Sequence, residues 1–458
     1  MEKIKNFYSK VINGWIYPVF IAATVLLTHT FSLEILGISI IALSAILGLF
    51  VCNYDLKFII SPAIMLIFSI SEKSSNLGNG PLFSVPSLIA IAVISTIFVI
   101  SITIYFIKNR NHYDFKKVCK SPLFWGFVVL SITFATNGWF DIESFSWLNL
   151  GFTVALILSY IGFFTIFYIS IDFSKDFRNY LVFVLFVASI LVTVEFYSLF
   201  LNGQIKFDEN GEMIKESIIT GWGIWNTMGN MLTLLLPVHF YIASYFKKYG
   251  FIFYITGLIS YLAVVLTLSR SSLLASTILL GICAILSCFI GVNKKINRII
   301  TMSLVIVGSV GIILLWDKIS NILGDYISRG LDDNGRFDIY LFGLNKFIEH
   351  PVFGGGFYNA YHVNTEGLPF CYHNTIIQML ASCGTVGFLA YVYHRFETIK
   401  LIWKKRSGRN IFLFLCICGL LITSLLDVHM FSIYPVFYYS LILIAIEKSP
   451  DKKTKADA

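Results

Sequence analysis

The residues of this chain best suited to chemistry are His373, Arg270 and Arg336. His373-Asn374 opens a long apolar run directly after a Gly-rich stretch. A histidine at such a helix start can serve as a general base near neutral pH. An interfacial polar residue beside an asparagine N-cap is the plainer reading of the same pair. Arg270, in Leu268-Ser269-Arg270-Ser271-Ser272, is the only charge in a very short turn between two apolar runs. It could lie there by snorkelling to an interface, yet its planar fork of donors also suits phosphate oxygens. Glu195 is the only carboxylate well inside an apolar run, where an ionisable group is costly and points to function; a structural ion pair or a neutral, hydrogen-bonded acid accounts for it equally well. Asp427 and His429 flank the last outer turn, where capping helix ends is enough to account for them. No P-loop, His-Glu-x-x-His or Gly-x-Ser-x-Gly pattern is present, and Gly354-Gly355-Gly356 alone does not imply nucleotide binding.

The elements that must hold these residues follow from composition. The 458 residues are 57% hydrophobic and only 13% charged, with a mean hydropathy of +0.78. That is too little charge to cover the surfaces of a soluble multidomain enzyme, for which roughly 25% is usual. Apolar runs near the length of about 20 residues that a membrane helix needs recur along almost the whole chain. They lie at about 14–32, 33–51, 57–70, 86–107, 122–137, 149–170, 180–200, 227–246, 251–268, 272–291, 299–316, 374–393, 411–426 and 431–446. The expected fold is all-α: one polytopic bundle of 12–14 transmembrane helices over residues 1–446, with a basic cytoplasmic tail at 447–458. The first run follows a basic segment, but with no small-x-small cleavage site and a second run close behind, it reads as a retained helix rather than a signal peptide.

Basic residues cluster on cytoplasmic loops of membrane proteins. With a cytoplasmic N-terminus carrying Lys3, Lys5 and Lys10, 26 of the 34 Lys and Arg fall on one side, and both termini share it. About 16 of the 26 acidic residues fall on the other. The net charge of +8 thus reflects orientation, and no basic stripe on a soluble element suggests nucleic acid. Arg270 and Arg336 are among the few basic residues on the acidic side, which favours anion binding over snorkelling. Seven of the eight cysteines lie in or near helices or inner loops, leaving Cys371 alone outside, so neither a disulfide framework nor a Cys-based zinc site is expected. No metal cluster or cofactor motif is evident.

Two outer segments are long enough to build a site, 202–226 and 317–372. In the second, Phe337, Tyr340, Leu341, Leu344, Phe347 and Ile348 have the spacing of an amphipathic helix over Asn334 to His350. Arg336 stands near its start, and His350-Pro351 ends it. Gly354-Gly355-Gly356 then permits positive φ and close backbone approach. Five of the eight tryptophans, Trp139, Trp147, Trp222, Trp225 and Trp316, crowd this side. They form an interfacial belt, or, since sugar rings stack on aromatic faces, one or two line a glycan site. Trp222, Trp225, Tyr340, Asn374 and Glu195 complete the set of candidate glycan or supporting residues.

Together these pieces resemble the O-antigen ligase and polymerase superfamily of bacterial envelope glycan assembly. The ligase motif His-[Asn/Ser/Gln]-x9-Gly-x-x-[Gly/Thr/Tyr] is matched by His373-Asn374, nine residues, and Gly384-Thr385-Val386-Gly387. Arg-x3-Leu is matched by Arg270 and Leu274, and Arg336 to Tyr358 is similar to the family's large periplasmic loop. The resemblance covers roughly residues 215–395. It implies a multi-pass protein of the bacterial cytoplasmic membrane with its active face outside. The donor would be a glycan on undecaprenyl pyrophosphate and the acceptor another glycan or lipid-linked sugar, with no cofactor or metal. Arg270 and Arg336 would bind the pyrophosphate and His373 would be the base; chain-length regulators or flippases would be partners. Polymerisation of O-antigen or capsular repeat units is favoured over ligation to lipid A core. A transporter or flippase is the alternative from another class; internal repeats, its usual mark, are absent.

Overall fold

A computed structural model describes residues 2–52, 54–66, 84–136, 147–174, 176–209, 213–221, 223–247, 249–314, 316, 320, 336–357 and 372–449. The third run past residue 66, Trp139, Trp222, Cys371, most of 317–372 and the tail from 450 lie outside the described residues.

Helices follow the apolar runs. The pair α1 (Glu2–Ile12) and α2 (Ile16–Thr30) is bent by 68°, and α3 (Glu34–Val51) follows. The described part of the run at 57–70 holds a 3-10 turn, Lys57–Ile59, and the short helix Ile60–Met65. Next comes α4 (Val85–Lys108), capped by the Ser84 hydroxyl, which accepts from the Ser87 N–H, with proline in its first turn. Phe115–Cys119 is a short helix ahead of α5 (Pro122–Thr136). α6 (Trp147–Ile157) and α7 (Phe163–Ser170) are joined by a π-turn at Leu158–Gly162. α8 (Phe177–Leu201) leads to the two-stranded antiparallel hairpin β1 (Ile219–Thr220) and β2 (Gly223–Ile224). The remaining helices are α9 (Trp225–Tyr245), α10 (Gly250–Leu266), α11 (Arg270–Phe289), α12 (Lys294–Leu314), α13 (Arg336–Glu349), α14 (Thr375–Lys404), α15 (Gly408–Thr423) and α16 (Ile433–Glu447).

The all-α membrane bundle expected from composition is the architecture found. Among the described residues, six helices are long and apolar enough to cross a membrane, or eight if each of two bent pairs is one span. This is fewer than the 12–14 apolar runs. The runs at 251–268, 411–426 and 431–446 form helices of 17, 16 and 15 residues, short of the length of about 20 that spans a bilayer core. Val305, Ile306 and Val307 on α12 are each more than 60% exposed, a face suited to lipid rather than water.

Two compact units divide the chain. The first comprises residues 1–117, 166–242 and 252–280, with α8 as its most buried span. Polar side chains link its helices: His239 of α9 meets Ser189 of α8 at 2.8 Å, and Thr193 of α8 meets Ser260 of α10 at 2.9 Å. The second comprises 118–165, 243–251 and 281–458. There α14 packs along α5, where the lack of a side chain at Gly126 makes room for His394; a Cβ at Gly126 would lie 2.5 Å from the His394 ring nitrogen. His394 bonds to Tyr439 of α16 at 3.0 Å, and Phe127 packs on both rings.

Candidate functional site

In the second unit the candidate base stands at the start of α14. Asn374 is the N-cap: its Oδ1 accepts from the N–H groups of Ile376 and Ile377 at 2.8 and 3.1 Å, satisfying two of the donors a helix start leaves open. Its amide donates to the Leu425 carbonyl at 2.9 Å, and the Thr375 N–H donates to the Ser424 carbonyl, also at 2.9 Å. These bonds stitch the start of α14 to the segment following α15. His373 itself has φ +47°, a conformation that costs energy in a non-glycine residue and persists only where the surroundings impose it.

That stitching brings His373 to Asp427. The imidazole Nδ1 lies 3.7 Å from Asp427 Oδ1, and His429 Nε2 lies 3.7 Å from Asp427 Oδ2. Both distances are too long for hydrogen bonds, and each contact becomes an ion pair only when its histidine is protonated. The His373 side chain is 44% exposed, Asp427 30% and His429 11%, so the cluster grades from an open imidazole to a buried one. Burial alone would raise the Asp427 carboxyl, but the two histidines and the Val428 N–H, which donates to it at 2.8 Å, hold it below its usual range. Burial pushes His429 down, with Asp427 opposing. The plain alternative of helix capping does not account for them: Ser432 precedes α16, and His429 opens the 3-10 turn His429–Phe431.

α13 lies over this end of α14. Gly343 permits the approach, since a Cβ there would meet Ile377 at 2.5 Å and Tyr372 at 2.8 Å. Tyr340 reaches the His373 carbonyl at 3.5 Å, and half-buried Arg336, four residues earlier, shares that face of the helix. The amphipathic helix expected over Asn334 to His350 is therefore present from Arg336, but only part of its apolar stripe faces the protein: Tyr340 and Phe347 are half-buried. Phe337, Leu341 and Ile348 are 59–70% exposed, because the small residue Gly343 rather than the large apolar ones gives the closest helix contact.

Beyond α13, Gly354 to Gly356 enters a break in α14. Gly384, in the middle of that helix, has φ 65° and ψ −163°. The freed backbone groups find partners in the glycine strand: the Gly355 N–H donates to the Ala381 carbonyl at 2.8 Å, Gly356 to Ser382 at 3.0 Å, and Thr385 to Pro351 at 2.9 Å. Gly354 and Gly356 have φ +72° and +88°, so the glycines do provide the close approach read from the sequence. The Phe357 N–H continues the segment to Asn149 Oδ1 at 2.9 Å.

In the first unit, Arg270 is the first residue of α11, half-buried at the positive end of that helix. Leu268 in the preceding turn has φ +56°. A hydroxyl and amide chain fixes this start: Ser269 Oγ meets Ser272 Oγ at 2.9 Å, and Ser272 donates to Asn230 of α9 at 2.7 Å. Glu195 of α8 accepts the Gly221 N–H at 2.7 Å and contacts His29 Nε2 at 3.0 Å; His29 Nδ1 lies 3.8 Å from Glu34. All three ionisable groups are buried. Glu195 thus ties α2 and the β1–β2 hairpin to α8. Trp225 begins α9 with the Lys215 ammonium 5.8 Å from its ring centre.

His373, Asn374, Arg336 and Tyr340 are therefore gathered in the second unit, whereas Arg270, Trp225 and Glu195 belong to the first; Trp222 is outside the described residues. Sequence reasoning missed the pairing of His373 with Asp427, and it missed His29 and Glu34. An ionisable residue on each side of the tight turn between the first two apolar runs was the available signal. Among the described residues no group of three or more His, Cys, Asp or Glu is arranged to hold a metal ion.

Compared with known families, residues 255–392 match the model described as O-antigen ligase. This segment contains Arg270, Arg336 and His373 and lies within the stretch whose motifs resemble that superfamily. No curated protein matches the chain.

Proposed function

From the match of residues 255–392 to the family model described as O-antigen ligase, we propose that this protein moves a glycan from undecaprenyl pyrophosphate to an acceptor sugar on the extracytoplasmic face of the bacterial cytoplasmic membrane. That match supports the coarser class, a membrane glycosyl-transferring enzyme of the O-antigen ligase and polymerase type. The observation that carries the finer reading is the half-exposed His373 beside Asp427 at a helix start rigidly stitched to its neighbours.

In this scheme His373 accepts the proton of the acceptor hydroxyl as its oxygen attacks the anomeric carbon. The bond from that carbon to the pyrophosphate oxygen breaks, and undecaprenyl pyrophosphate leaves. Asp427 balances the charge of the imidazolium that forms. Arg270 and Arg336 stabilise the charge developing on the leaving group. Sugar-stacking roles for Trp222, Trp225 and Tyr340 belong to the same proposal.

Transfer measured in membranes at equal expression tests it. His373→Ala should lower the rate by roughly 10²–10⁴-fold, and Arg270→Lys should also lose activity, because lysine keeps the charge but not the paired donors. Near-normal transfer by His373→Ala would remove the base assignment. Polymerisation of repeat units is the favoured branch, since no sequence feature marks a lipid A or protein acceptor. Gene deletion separates the two: loss of a polymerase leaves single repeats on the envelope acceptor, whereas loss of a ligase leaves long chains on the carrier lipid.

A further inference from the structure

His373 is held from both sides, and the helix cap explains only the downstream side. There Asn374 and Thr375 bond to the segment that follows α15. Upstream, Tyr372 is fully buried, so its N–H needs a partner inside the protein. Gln378 of α14 supplies one, its Oε1 accepting from the Tyr372 N–H at 3.1 Å. Gln378 is itself buried, and its Nε2 donates to Ser382 Oγ at 2.9 Å. A backbone N–H can only donate, so the amide oxygen must face Tyr372 and the amide nitrogen Ser382. Both ends of the side chain are thereby committed within the protein.

The reach of this glutamine differs from that of an ordinary helix start. In a capping box the side chain three residues after the N-cap bonds back to the N-cap's own N–H. Gln378 stands four residues after the N-cap Asn374 and bonds two residues before it. Its own N–H donates to the Asn374 carbonyl at 2.8 Å. One residue therefore grips both neighbours of His373, and His373 between them adopts φ +47°. A non-glycine residue keeps that conformation only where its surroundings impose it. It is also the conformation in which the imidazole Nδ1 lies 3.7 Å from Asp427. Ser382 joins the same arrangement to the break in α14, since its carbonyl accepts from the Gly356 N–H at 3.0 Å while its hydroxyl holds Gln378.

We propose that Gln378 is a positioning residue for the base: by holding the Tyr372 N–H it sets the backbone of His373 so that the imidazole faces Asp427. The inference rests on the transferase reading, in which His373 takes the acceptor proton. It adds a residue that acts through His373 rather than on the substrate, because both polar ends of Gln378 are occupied by protein groups.

Two measurements on the full chain test it. Hydrogen exchange in detergent reads the clamp itself. Gln378→Met fills a similar space without an acceptor, so the Tyr372 amide should exchange roughly fivefold faster or more. Gln378→Glu keeps an acceptor, near a helix start where negative charge is favoured, and should exchange as the wild type does. Glycan transfer in membranes at equal expression reads the consequence. Gln378→Met should lower kcat by roughly tenfold or more with KM little changed, and Gln378→Glu should keep most of the wild-type rate. In a His373→Ala background Gln378→Met should cause no further loss, since the group it positions is gone. An unchanged Tyr372 exchange rate in Gln378→Met overturns the proposal. So does a wild-type kcat despite faster exchange, an equal loss in the Glu and Met variants, or a further loss in the His373→Ala background. Those failures leave the base assignment standing, whereas near-normal transfer by His373→Ala removes the base assignment and this inference with it.

Discussion

Gly354 and Gly384 meet backbone against backbone: a Cβ on Gly384 would lie 2.6 Å from the Gly354 nitrogen and 2.4 Å from the Val352 carbonyl, and both residues have positive φ. Alanine at either position must therefore bear a backbone clash and an unfavourable conformation together. Gly384→Ala and Gly354→Ala are each expected to cost about 2–4 kcal/mol, read as a lowered thermal unfolding temperature in detergent. Gly203, also at positive φ but with nothing within 4 Å of a Cβ, is the control: Gly203→Ala should cost only about 1 kcal/mol. If all three cost the same, the close approach contributes nothing.

The contact between His373 and Asp427 makes a second prediction. Asn at 427 keeps the shape of the side chain but loses the negative charge that balances a protonated imidazole. Asp427→Asn should lower kcat by about tenfold or more, with KM little changed, and by less than His373→Ala does. His429→Gln should leave kcat within a fewfold, because His429 touches the far oxygen of the carboxylate. Initial rates in membranes at matched expression check this order; a His429 effect as large as that of Asp427 would refute it.

Glu195 joins three elements through one oxygen, which separates its hydrogen-bonding role from its charge. Glu195→Gln retains an acceptor for the Gly221 N–H, whereas Glu195→Ala removes the partner of both Gly221 and His29. The alanine variant should lose about 3 kcal/mol or more and the glutamine variant markedly less. Thermal unfolding of the two proteins decides it, and equal losses would mean that charge alone matters.

What could be read from the sequence depended on whether a signal was local. The helix from Arg336 was legible in its apolar spacing, its end in His350-Pro351, and the N-cap in Asn374, because each rests on contacts a few residues apart. The partner of His373 was not, since Asp427 is 54 residues away and is brought to it by tertiary bonds, from Asn374 and Thr375 to the Leu425 and Ser424 carbonyls and from the Thr375 hydroxyl to the Asp427 carbonyl. The outward turn of Phe337, Leu341 and Ile348 was equally hidden. Apolar spacing marks a face but does not say whether protein or lipid covers it. The break at Gly384 needed knowledge that a distant glycine strand would supply partners for its freed backbone. Charge sorting uses no tertiary information, and the proposed roles of Arg270 and Arg336 rest on it and on the family resemblance.

His429 supplies a prediction about acid. Its imidazole is buried and binds a proton less readily than in the unfolded chain, where histidine titrates near about 6.5. As pH falls through that value the unfolded chain takes up the proton first, so the unfolded state is favoured. Stability contributed by His429 is therefore present above about pH 6.5 and is lost as pH drops toward its lower folded value. Asp427, held below its usual range, acts in the same direction only at lower pH: its contribution is present above about pH 3.9 and lost below. Between about pH 7.5 and 5.5 the histidine therefore dominates this pair. His429→Gln should lose less thermal stability than wild type over that interval while being less stable than wild type at the upper end, where the native contacts are intact. Unfolding temperatures in detergent across the interval provide the check, and parallel curves for the two proteins would show that protonation of His429 is not coupled to folding.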